Sequence, residues 1–296
     1  MSTAEPPVRR PAAARVRRLP APALFVVGGV SMYLGAAIAV LLFAELPPAT
    51  VAWLRLLGAA AVLLAWRRPG RESWRGRRFL LAAGFGLATA LMNITFYEAI
   101  ARLPLGTAVA IEFIGPVAVA ALGSRGRRDV AALALAALGV LLIADVRWSG
   151  SPSGVLLALA AAAMWAGYIV LGKRVAGGGS GIDDLAVGMT VAAVLLSPLA
   201  LGAGPVLGSP RLLLLAVGVG VLSSAVPYAL DQVVLRRVGR ARFALLLALL
   251  PATASLVGLL MLAQIPRWPE ALGILAVVAA VSLRSREPDE APVEPP

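Results

Sequence analysis

The sequence contains neither cysteine nor histidine. The lack of cysteine excludes a disulfide framework and thiolate metal sites. The lack of histidine removes the usual general base and a common metal ligand, so carboxylates are the groups left to carry a proton near neutral pH. Without a Ser-His pair or a cluster of metal-binding residues, we expect no enzyme activity, no metal and no cofactor.

Charged residues are also scarce. They make up 14% of the chain, hydrophobic residues make up 60%, and the mean hydropathy is +0.88. A soluble domain is about half apolar and about a quarter charged. The apolar excess therefore indicates a protein that lies in the lipid bilayer.

Apolar runs of about 20 residues, the length needed to cross a bilayer, recur along the chain. They predict an all-α polytopic membrane protein. The tails, residues 1–21 and 284–296, are rich in Pro with Arg or Glu and are expected to be disordered. The ten predicted spans cover residues 22–44, 49–66, 79–101, 104–122, 130–146, 154–171, 185–203, 211–234, 243–263 and 269–283.

The basic residues are distributed unequally between alternate connections. Of the 27 Lys and Arg residues, 22 fall in the tails and connections of one side, 4 fall on the other side, and Arg55 lies within the second span. The positive-inside rule then places both termini in the cytoplasm. The net charge of +12 is explained by this topology and by attraction to anionic lipid, so no nucleic-acid partner is expected.

An internal repeat relates two halves of the chain. The stretch "YEAIARLPLGTAVAIEFIGPVAVAAL" (97–122) aligns with "DQVVLRRVGRARFALLLALLPATASL" (231–256) at an offset that places Pro116 over Pro251. Ten spans divide into five-helix halves, residues 22–146 and 154–283. An odd number of spans in each half inverts the second half, and inverted repeats are the common plan of secondary transporters.

Two stretches carry a resemblance to a known family. "MNITFYEAIARLPLGTAVAIEFIGPVAVA" (92–120) and "VPYALDQVVLRRV" (226–238) resemble the drug/metabolite transporter superfamily, in particular the EamA-type branch of inner-membrane threonine/homoserine exporters (RhtA-like). The resemblance implies ten helices in two inverted halves, a central cavity and proton-linked efflux of small metabolites. Two departures stand out: Leu250-Pro251 replaces a Glu-Pro pair, and "AVLLF" (39–43) replaces a lysine-containing stretch.

Glu112 is the carboxylate that lies deepest in an apolar segment, about 12 Å from the outer end of the fourth span at about 1.5 Å per residue. An ionised side chain at mid-bilayer costs about 2.5–3.5 kcal/mol on insertion scales, so such residues are usually functional or paired. Ala108, Gly115 and Pro116 share its face and leave room for a ligand. Glu112 is therefore predicted to bind a proton or a substrate ammonium; the alternative is a structural partner for a neighbouring helix.

Arg55 and Glu98 lie at a similar depth, about 9 Å and about 6 Å inside their spans. Arg55 is predicted to pair with Glu98 or with Glu112, because a buried pair holds both charges at lower cost than either alone. A purely structural Arg55 and a solvated, interfacial Glu98 are the alternatives.

Four positions on the eighth span share one helix face: Ser224, Pro227, Tyr228 and Asp231. Asp231 lies near the inner end of its span, as Glu98 lies near the outer end of the third, which inverted halves predict. An interfacial Asp231 bonded to a nearby arginine is the alternative. Pro227 is expected to kink the helix and to free a backbone carbonyl, which is tolerated where it lines a cavity.

Four further residues are candidates for contact with substrate. Asn93 and Tyr97 form an i, i+4 pair that is suited to hydrogen-bonding a zwitterion, or alternatively to bonding between helices. Trp165 and Tyr168 on the sixth span either line the cavity or serve ordinary packing and the interfacial aromatic belt.

The resulting prediction is a bacterial inner-membrane exporter of small polar metabolites, amino acids such as threonine or homoserine, driven by proton exchange. Its partners are the small-molecule substrate, protons and the bilayer. Export of a drug or natural product is the rival within the same class. A non-transporting assembly or sensor protein is the rival from another class.

Overall fold

The computed structural model describes residues 20–123, 127–148, 151–176, 181–227, 230, 234, 246 and 249–284. Its regular structure is helical throughout these residues, without a β-strand. Two 3₁₀ turns, Arg71–Trp74 and Ser197–Ala203, and a π-helical segment, Val221–Ala225, lie between α-helices. In chain order the α-helices are α1 (Ala21–Leu42), α2 (Pro48–Arg67), α3 (Gly76–Ile100), α4 (Leu105–Glu112), α5 (Ile114–Gly123), α6 (Arg127–Trp148), α7 (Pro152–Ala176), α8 (Gly181–Leu195), α9 (Gly204–Gly208), α10 (Pro210–Gly220), α11 (Leu249–Leu262) and α12 (Trp268–Arg284).

Three described helices are long and apolar enough to cross a bilayer: Ala23–Leu42, Pro48–Arg67 and Gly76–Ile100. A fourth crossing results if the pair Asp183–Leu195 and Ser197–Gly208, which is bent by 63°, counts as one span. Shorter apolar helices of 10–17 described residues make up much of the remainder. The prediction of an all-α polytopic membrane protein is confirmed. Ten spans in two inverted halves remain a prediction, and residues 1–19 and 285–296, which hold the predicted tails, lie outside the described residues.

The outer surfaces of the helices are apolar. Large aliphatic side chains project from several helices, among them Leu80, Leu141 and Leu260, the last with 72% of its surface exposed. Monomeric soluble proteins rarely expose contiguous apolar surface on this scale. These helix faces are therefore suited to contact with lipid tails.

Prolines account for two breaks within predicted spans. The seventh span was predicted as one helix over 185–203, but α8 ends at Leu195 and a 3₁₀ turn follows. Pro198 explains this difference, because it has no N–H to continue the helical bonds. Pro116 has the same effect in the fourth span: it leaves the Glu112 carbonyl without its α-helical donor, and the span divides into α4 and α5 there.

Small residues allow the helices to pack closely. α3 packs against α7 and α8, α6 packs along α12, and α11 packs against α1 and α4. At the α3–α8 crossing the backbones meet at Gly86 and Gly188, where a Cβ on either glycine would overlap a backbone carbonyl. Without a hydrophobic driving force between helices in lipid, such close packing is a main source of helix association.

The π-helical segment Val221–Ala225 follows α10 and faces α1. In this segment the Val226 N–H bonds to the Val221 carbonyl five residues back, rather than to Leu222. The Leu222 carbonyl instead accepts a hydrogen bond from Ser31 Oγ at 2.9 Å. The Ser223 hydroxyl reaches back to the Met32 carbonyl at 3.3 Å. The segment is thus held to α1 by side-chain bonds that replace part of the helical ladder.

Candidate functional site

A cavity of about 210 Å³ lies among the helices. α1, α2, α3, α4 and α7 contribute to its wall, together with the π-helical segment and α11. Aromatic and methionine side chains make up much of the apolar wall. The described polar side chains that line it are Tyr33, Arg55, Thr89, Asn93, Glu112 and Ser223.

Glu112 is the one acidic residue among the described lining residues. It is the last residue of α4 and is only 8% exposed. No described residue forms a hydrogen bond or an ion pair with its carboxylate. Arg55 lines the same cavity, yet the two residues are not joined by a salt bridge. The cavity therefore holds a carboxylate that is available to a ligand.

Arg55 is the one cation among the described lining residues. Its Nη2 donates to the Ser223 carbonyl at 3.1 Å, and its Nε makes a long contact of 3.5 Å with Ser224 Oγ. Its guanidinium carbon lies 5.6 Å from the centre of the Tyr97 ring, a cation–π arrangement. These contacts fix Arg55 on the π-helical segment and leave three of its five N–H donors without a described partner.

Pro227 removes one helical donor that could reach the Ser223 carbonyl. Pro227 lies four residues after Ser223 and has no N–H, so the α-helical bond to this carbonyl cannot form. The carbonyl accepts from Arg55 instead, and both Ser223 and Pro227 line the cavity. Pro227 thus lines the cavity next to a carbonyl that it cannot bond, and the predicted kink stays a prediction.

Asn93 and Tyr97 lie on the same helix but have different surroundings in the structure. Asn93 lines the cavity and its Nδ2 donates to the Thr89 carbonyl at 2.8 Å, which leaves its side-chain oxygen without a described partner. Tyr97 is fully buried beneath Arg55, and its hydroxyl has no hydrogen-bond partner in the described part of the chain. Of the predicted pair, Asn93 is the one that is placed to touch a ligand.

Glu98 lies outside the cavity. Its carboxylate forms an i, i+4 ion pair with Arg102 at 2.6 Å, at the end of α3. Of the two predicted partners of Arg55, therefore, only Glu112 shares its cavity.

Of the remaining candidates on α7 and the eighth span, the structure describes the side chain of Trp165 alone. Trp165 lines the cavity and meets the Phe113 ring edge-on, with centroids 4.9 Å apart. Tyr168 belongs to α7, but its side chain lies outside what the structure describes, as do Tyr228 and Asp231 entirely. Their predicted contacts with substrate stay predictions.

Three polar lining residues were not singled out from the sequence: Tyr33, Thr89 and Ser223. Tyr33 is buried on α1, and its hydroxyl has no hydrogen-bond partner within the described ranges. Thr89 Oγ1 donates to the Phe85 carbonyl. A usable signal existed for Tyr33, because Ser31 and Tyr33 are the polar side chains of an otherwise apolar run.

Ion pairs and hydrogen bonds join helices away from the cavity. At one end, Arg78 bonds to Asp184 at 2.7 Å and Arg67 bonds to Asp183 at 2.8 Å, which joins α3 and α2 to the start of α8. At the other end, Thr107 Oγ1 donates to Glu270 at 3.2 Å. The helices are thus tied together on both sides of the cavity.

Comparison with known proteins shows which family the chain is similar to. The model of the EamA-like transporter family matches residues 152–286. The threonine/homoserine exporter RhtA of Salmonella typhimurium (strain SL1344) is 36% identical over 254 residues, 84% of this chain and 86% of that protein. RhtA of Escherichia coli (strain K12) is 34% identical over 261 residues, 87% of this chain and 88% of that protein.

A solved crystal structure covers 89% of this chain and 96% of its own, with a TM-score of 0.57 and 19% identity, and so shares the fold alone. The two exporters are similar to this chain along most of their length, and both are transporters rather than enzymes. The sequence-derived assignment to this branch is therefore confirmed. The chain belongs to the EamA-like transporter family, in its RhtA-like branch, and is a multi-pass membrane transporter rather than an enzyme.

Proposed function

We propose that the protein exports small amino acids such as threonine and homoserine across the bacterial inner membrane, in exchange for protons. The relatives of highest identity described above are threonine/homoserine exporters. The observation that carries the proposal is the cavity, which holds one described carboxylate and one described guanidinium that do not pair with each other. A zwitterion carries the two charges that complement them.

The proposed architecture is ten spans in two inverted halves of five, 22–146 and 154–283. Helix crossings that match in pairs support it. The third and seventh spans cross at Gly86 and Gly188, and their counterparts, the eighth and second, cross at Gly220 and Gly58. At the second crossing, a Cβ on Gly58 would lie 3.3 Å from Gly220 Cα.

A crossing of the fifth and tenth spans supports the same relation. A Cβ on Gly139 would lie 2.7 Å from the carbonyl oxygen of Gly273, and these glycines lie at nearly the offset that aligns Pro116 with Pro251. Equivalent positions that meet each other are expected at a pseudo-two-fold axis. Secondary transporters bind substrate at such repeat interfaces near the bilayer midplane, and we propose the same location for this cavity.

In the proposed orientation both termini are cytoplasmic, because 22 basic residues fall on that side and 4 on the other. The Arg67–Asp183 and Arg78–Asp184 pairs then lie at the cytoplasmic end. Glu98 and Arg102 lie at the outer end. Export requires the cavity to open toward each end in turn.

Glu112 is the proposed proton carrier. A carboxylate that faces a cavity at mid-membrane binds a cation at low cost, either a proton or a substrate ammonium. If the proton and the substrate ammonium compete for Glu112, the protein carries one or the other, but not both. Its outward-directed step with substrate is then linked to its inward-directed step with a proton. Proton entry from outside then drives amino-acid exit.

Export of a larger apolar compound is the second candidate, because Phe25, Phe96, Phe113 and Trp165 give the cavity aromatic walls. Pockets for drug-sized ligands have volumes of about 300–1,000 Å³. The cavity of about 210 Å³ is smaller than this range. Its volume and its two unpaired charges favour a small zwitterion.

Counterflow in proteoliposomes tests the proposal. Vesicles are loaded with unlabelled threonine, homoserine, a large apolar amino acid or a lipophilic drug, and entry of the same compound in labelled form is followed. The measurement is then repeated with an imposed pH gradient. We expect threonine and homoserine to support counterflow and the gradient to drive net accumulation. Counterflow with the drug but not with the amino acids would refute the assigned cargo, and an unchanged level of accumulation under the gradient would refute proton exchange.

A further inference from the structure

We infer that Arg55 binds the α-carboxylate of the substrate, and that Pro227 positions Arg55 to do so. This inference rests on the proposed export of amino acids and names the group of the substrate that the site requires. It assigns to Pro227 an indirect role in substrate selectivity, through the position of Arg55 rather than through contact with the substrate.

The geometry of the charges supports a ligand between them. Arg55 and Glu112 line the same cavity without a salt bridge, and no other described lining residue is charged. In an α-amino acid the carboxylate and ammonium leave the same carbon. A ligand of this kind in the cavity places its ammonium toward Glu112 and its carboxylate toward Arg55, so both protein charges gain partners.

The remaining donors of Arg55 suit a carboxylate. The guanidinium presents five N–H groups in a rigid fork that matches carboxylate geometry. Ser223 and Ser224 take two of these donors, and Tyr97 supports one face of the plane. The other N–H groups have no partner among the described residues and can form charge-assisted hydrogen bonds to a ligand.

Pro227 acts through the Ser223 carbonyl. An ordinary residue at position 227 supplies an N–H that competes with Arg55 for this carbonyl in α-helical geometry. The guanidinium then loses its anchor on the π-helical segment and is no longer held toward the cavity. The charges of Arg55 and Glu112 remain unchanged in Pro227→Ala. This variant therefore tests the effect of the position of Arg55 without a change in its charge.

The chemical consequence is a requirement for the carboxylate. An amino alcohol such as L-threoninol keeps the ammonium and the side chain of threonine and lacks the carboxylate. It still meets Glu112 but gains nothing from Arg55. Because a hydrogen bond to a charged group contributes about 1.5–3 kcal/mol, we expect the wild-type protein to prefer threonine by about ten- to a hundredfold.

The test is equilibrium binding to the purified, full-length protein in lipid nanodiscs. The dissociation constants of L-threonine and L-threoninol are measured for the wild type, Arg55→Gln, Arg55→Lys and Pro227→Ala. Arg211→Gln serves as a matched arginine control on an exposed side chain, and Pro198→Ala serves as a matched proline control away from the cavity.

We expect Arg55→Gln to reduce the preference for threonine to within about threefold, with threoninol binding nearly unchanged. Pro227→Ala should weaken threonine binding by about tenfold and leave threoninol binding unchanged, and both controls should behave as the wild type. Arg55→Lys keeps the charge and should retain part of the preference, which gives a second reading if Arg55→Gln does not fold.

Equal weakening of both ligands in Pro227→Ala would overturn the positioning role, because it would mean general damage to the site. An unchanged preference in both Arg55 variants would overturn the carboxylate assignment. If the wild type binds neither ligand and transports no amino acid, the proposed function itself fails, and that result is distinct from a wild type that transports threonine without using Arg55.

Discussion

Glu112→Gln is the substitution that separates a proton-carrying role of Glu112 from a structural one. Glutamine keeps the volume and the hydrogen-bonding capacity of the side chain and removes its charge. If Glu112 binds proton and substrate in turn, proton-driven export is lost in this variant. If Glu112 only balances Arg55, the substitution leaves a cation uncompensated within the membrane.

The structure sets the size of the structural effect. Two unit charges 4 Å apart attract by about 4 kcal/mol at an effective dielectric constant of about 20, and this pair forms no salt bridge, so less than that is lost. Arg55 keeps the Ser223 carbonyl and the Tyr97 ring. A neutral glutamine also avoids the cost of burying a charge. We expect the free energy of unfolding to change by no more than about 1 kcal/mol, against about 3–5 kcal/mol for breaking a buried ion pair.

The assay combines stability with two transport modes. Thermal unfolding in detergent gives the stability of Glu112→Gln, net efflux under an imposed pH gradient gives proton-driven export, and threonine–threonine exchange gives the cycle without proton coupling. Net export should fall to the background of empty vesicles, while exchange persists at reduced affinity. Glu98→Gln is the matched control, since its carboxylate lies outside the cavity in an ion pair with Arg102, and it should export normally.

The outcome that refutes this reasoning is a Glu112→Gln protein with low expression and low stability that recovers when Arg55 is also neutralised. Normal proton-driven export in that double variant would establish a structural role for Glu112. Equal loss of export in Glu98→Gln would instead show that the described cavity is not the place of proton coupling.

Three further predictions follow from other parts of the fold. Gly86→Ala should lower the free energy of unfolding by about 1–3 kcal/mol, because its Cβ would overlap the Gly188 carbonyl. Gly84→Ala is the matched control: a Cβ there meets no atom within 4 Å, so this variant should be neutral or slightly more stable. Unfolding of both variants in detergent measures the difference. Asp184→Asn should lower the free energy of unfolding by about 1–3 kcal/mol, because the bond of Asp184 to Arg78 is largely shielded from solvent. Asp183→Asn should lower it by less than about 1 kcal/mol, because the pair of Asp183 with Arg67 is more exposed. Cytoplasm-dependent reporters fused to each terminus should both be active, and an inactive carboxy-terminal fusion would mean that the number of spans is odd.

Hydropathy and charge were sufficient to predict the helical membrane fold, because the need to satisfy every backbone group within lipid leaves few alternatives. They also placed Glu112 and Arg55 at a common depth, and the two residues share a cavity. Depth favoured Glu112 over Glu98, but it did not show which of the two shares a cavity with Arg55. The two glutamates differ in lateral position, and that depends on how neighbouring helices pack rather than on distance along a span.

The π-helical segment shows why the remaining part of the site was hidden in the sequence. Pro227 predicts a freed carbonyl, but its acceptor role depends on Arg55, 168 residues away from Ser223. The neighbouring Leu222 carbonyl depends in the same way on Ser31, 191 residues away. A local pattern can indicate that a helical bond is lost, and only the tertiary fold supplies the group that replaces it. Tyr33 is a polar residue in an otherwise apolar run, but only the tertiary fold shows that it lines the cavity and could contact a substrate.

The cavity is chemically asymmetric, and this asymmetry offers a route for coupling. Its described charges, Arg55 and Glu112, belong to the first predicted half, whereas the second predicted half contributes uncharged lining residues: Trp165, Ser223, Pro227 and Leu250. If the halves rock against each other, the bond from Arg55 to Ser223 lies across the boundary that moves. A substrate carboxylate offers Arg55 a stronger, charged acceptor than a backbone carbonyl. In the proposed cycle, the substrate carboxylate bonds to the remaining N–H groups of Arg55, which stays bonded to Ser223, and the substrate ammonium replaces a proton on Glu112. We expect that one binding event thereby acts on both the proposed coupling proton and the contact between the two predicted halves.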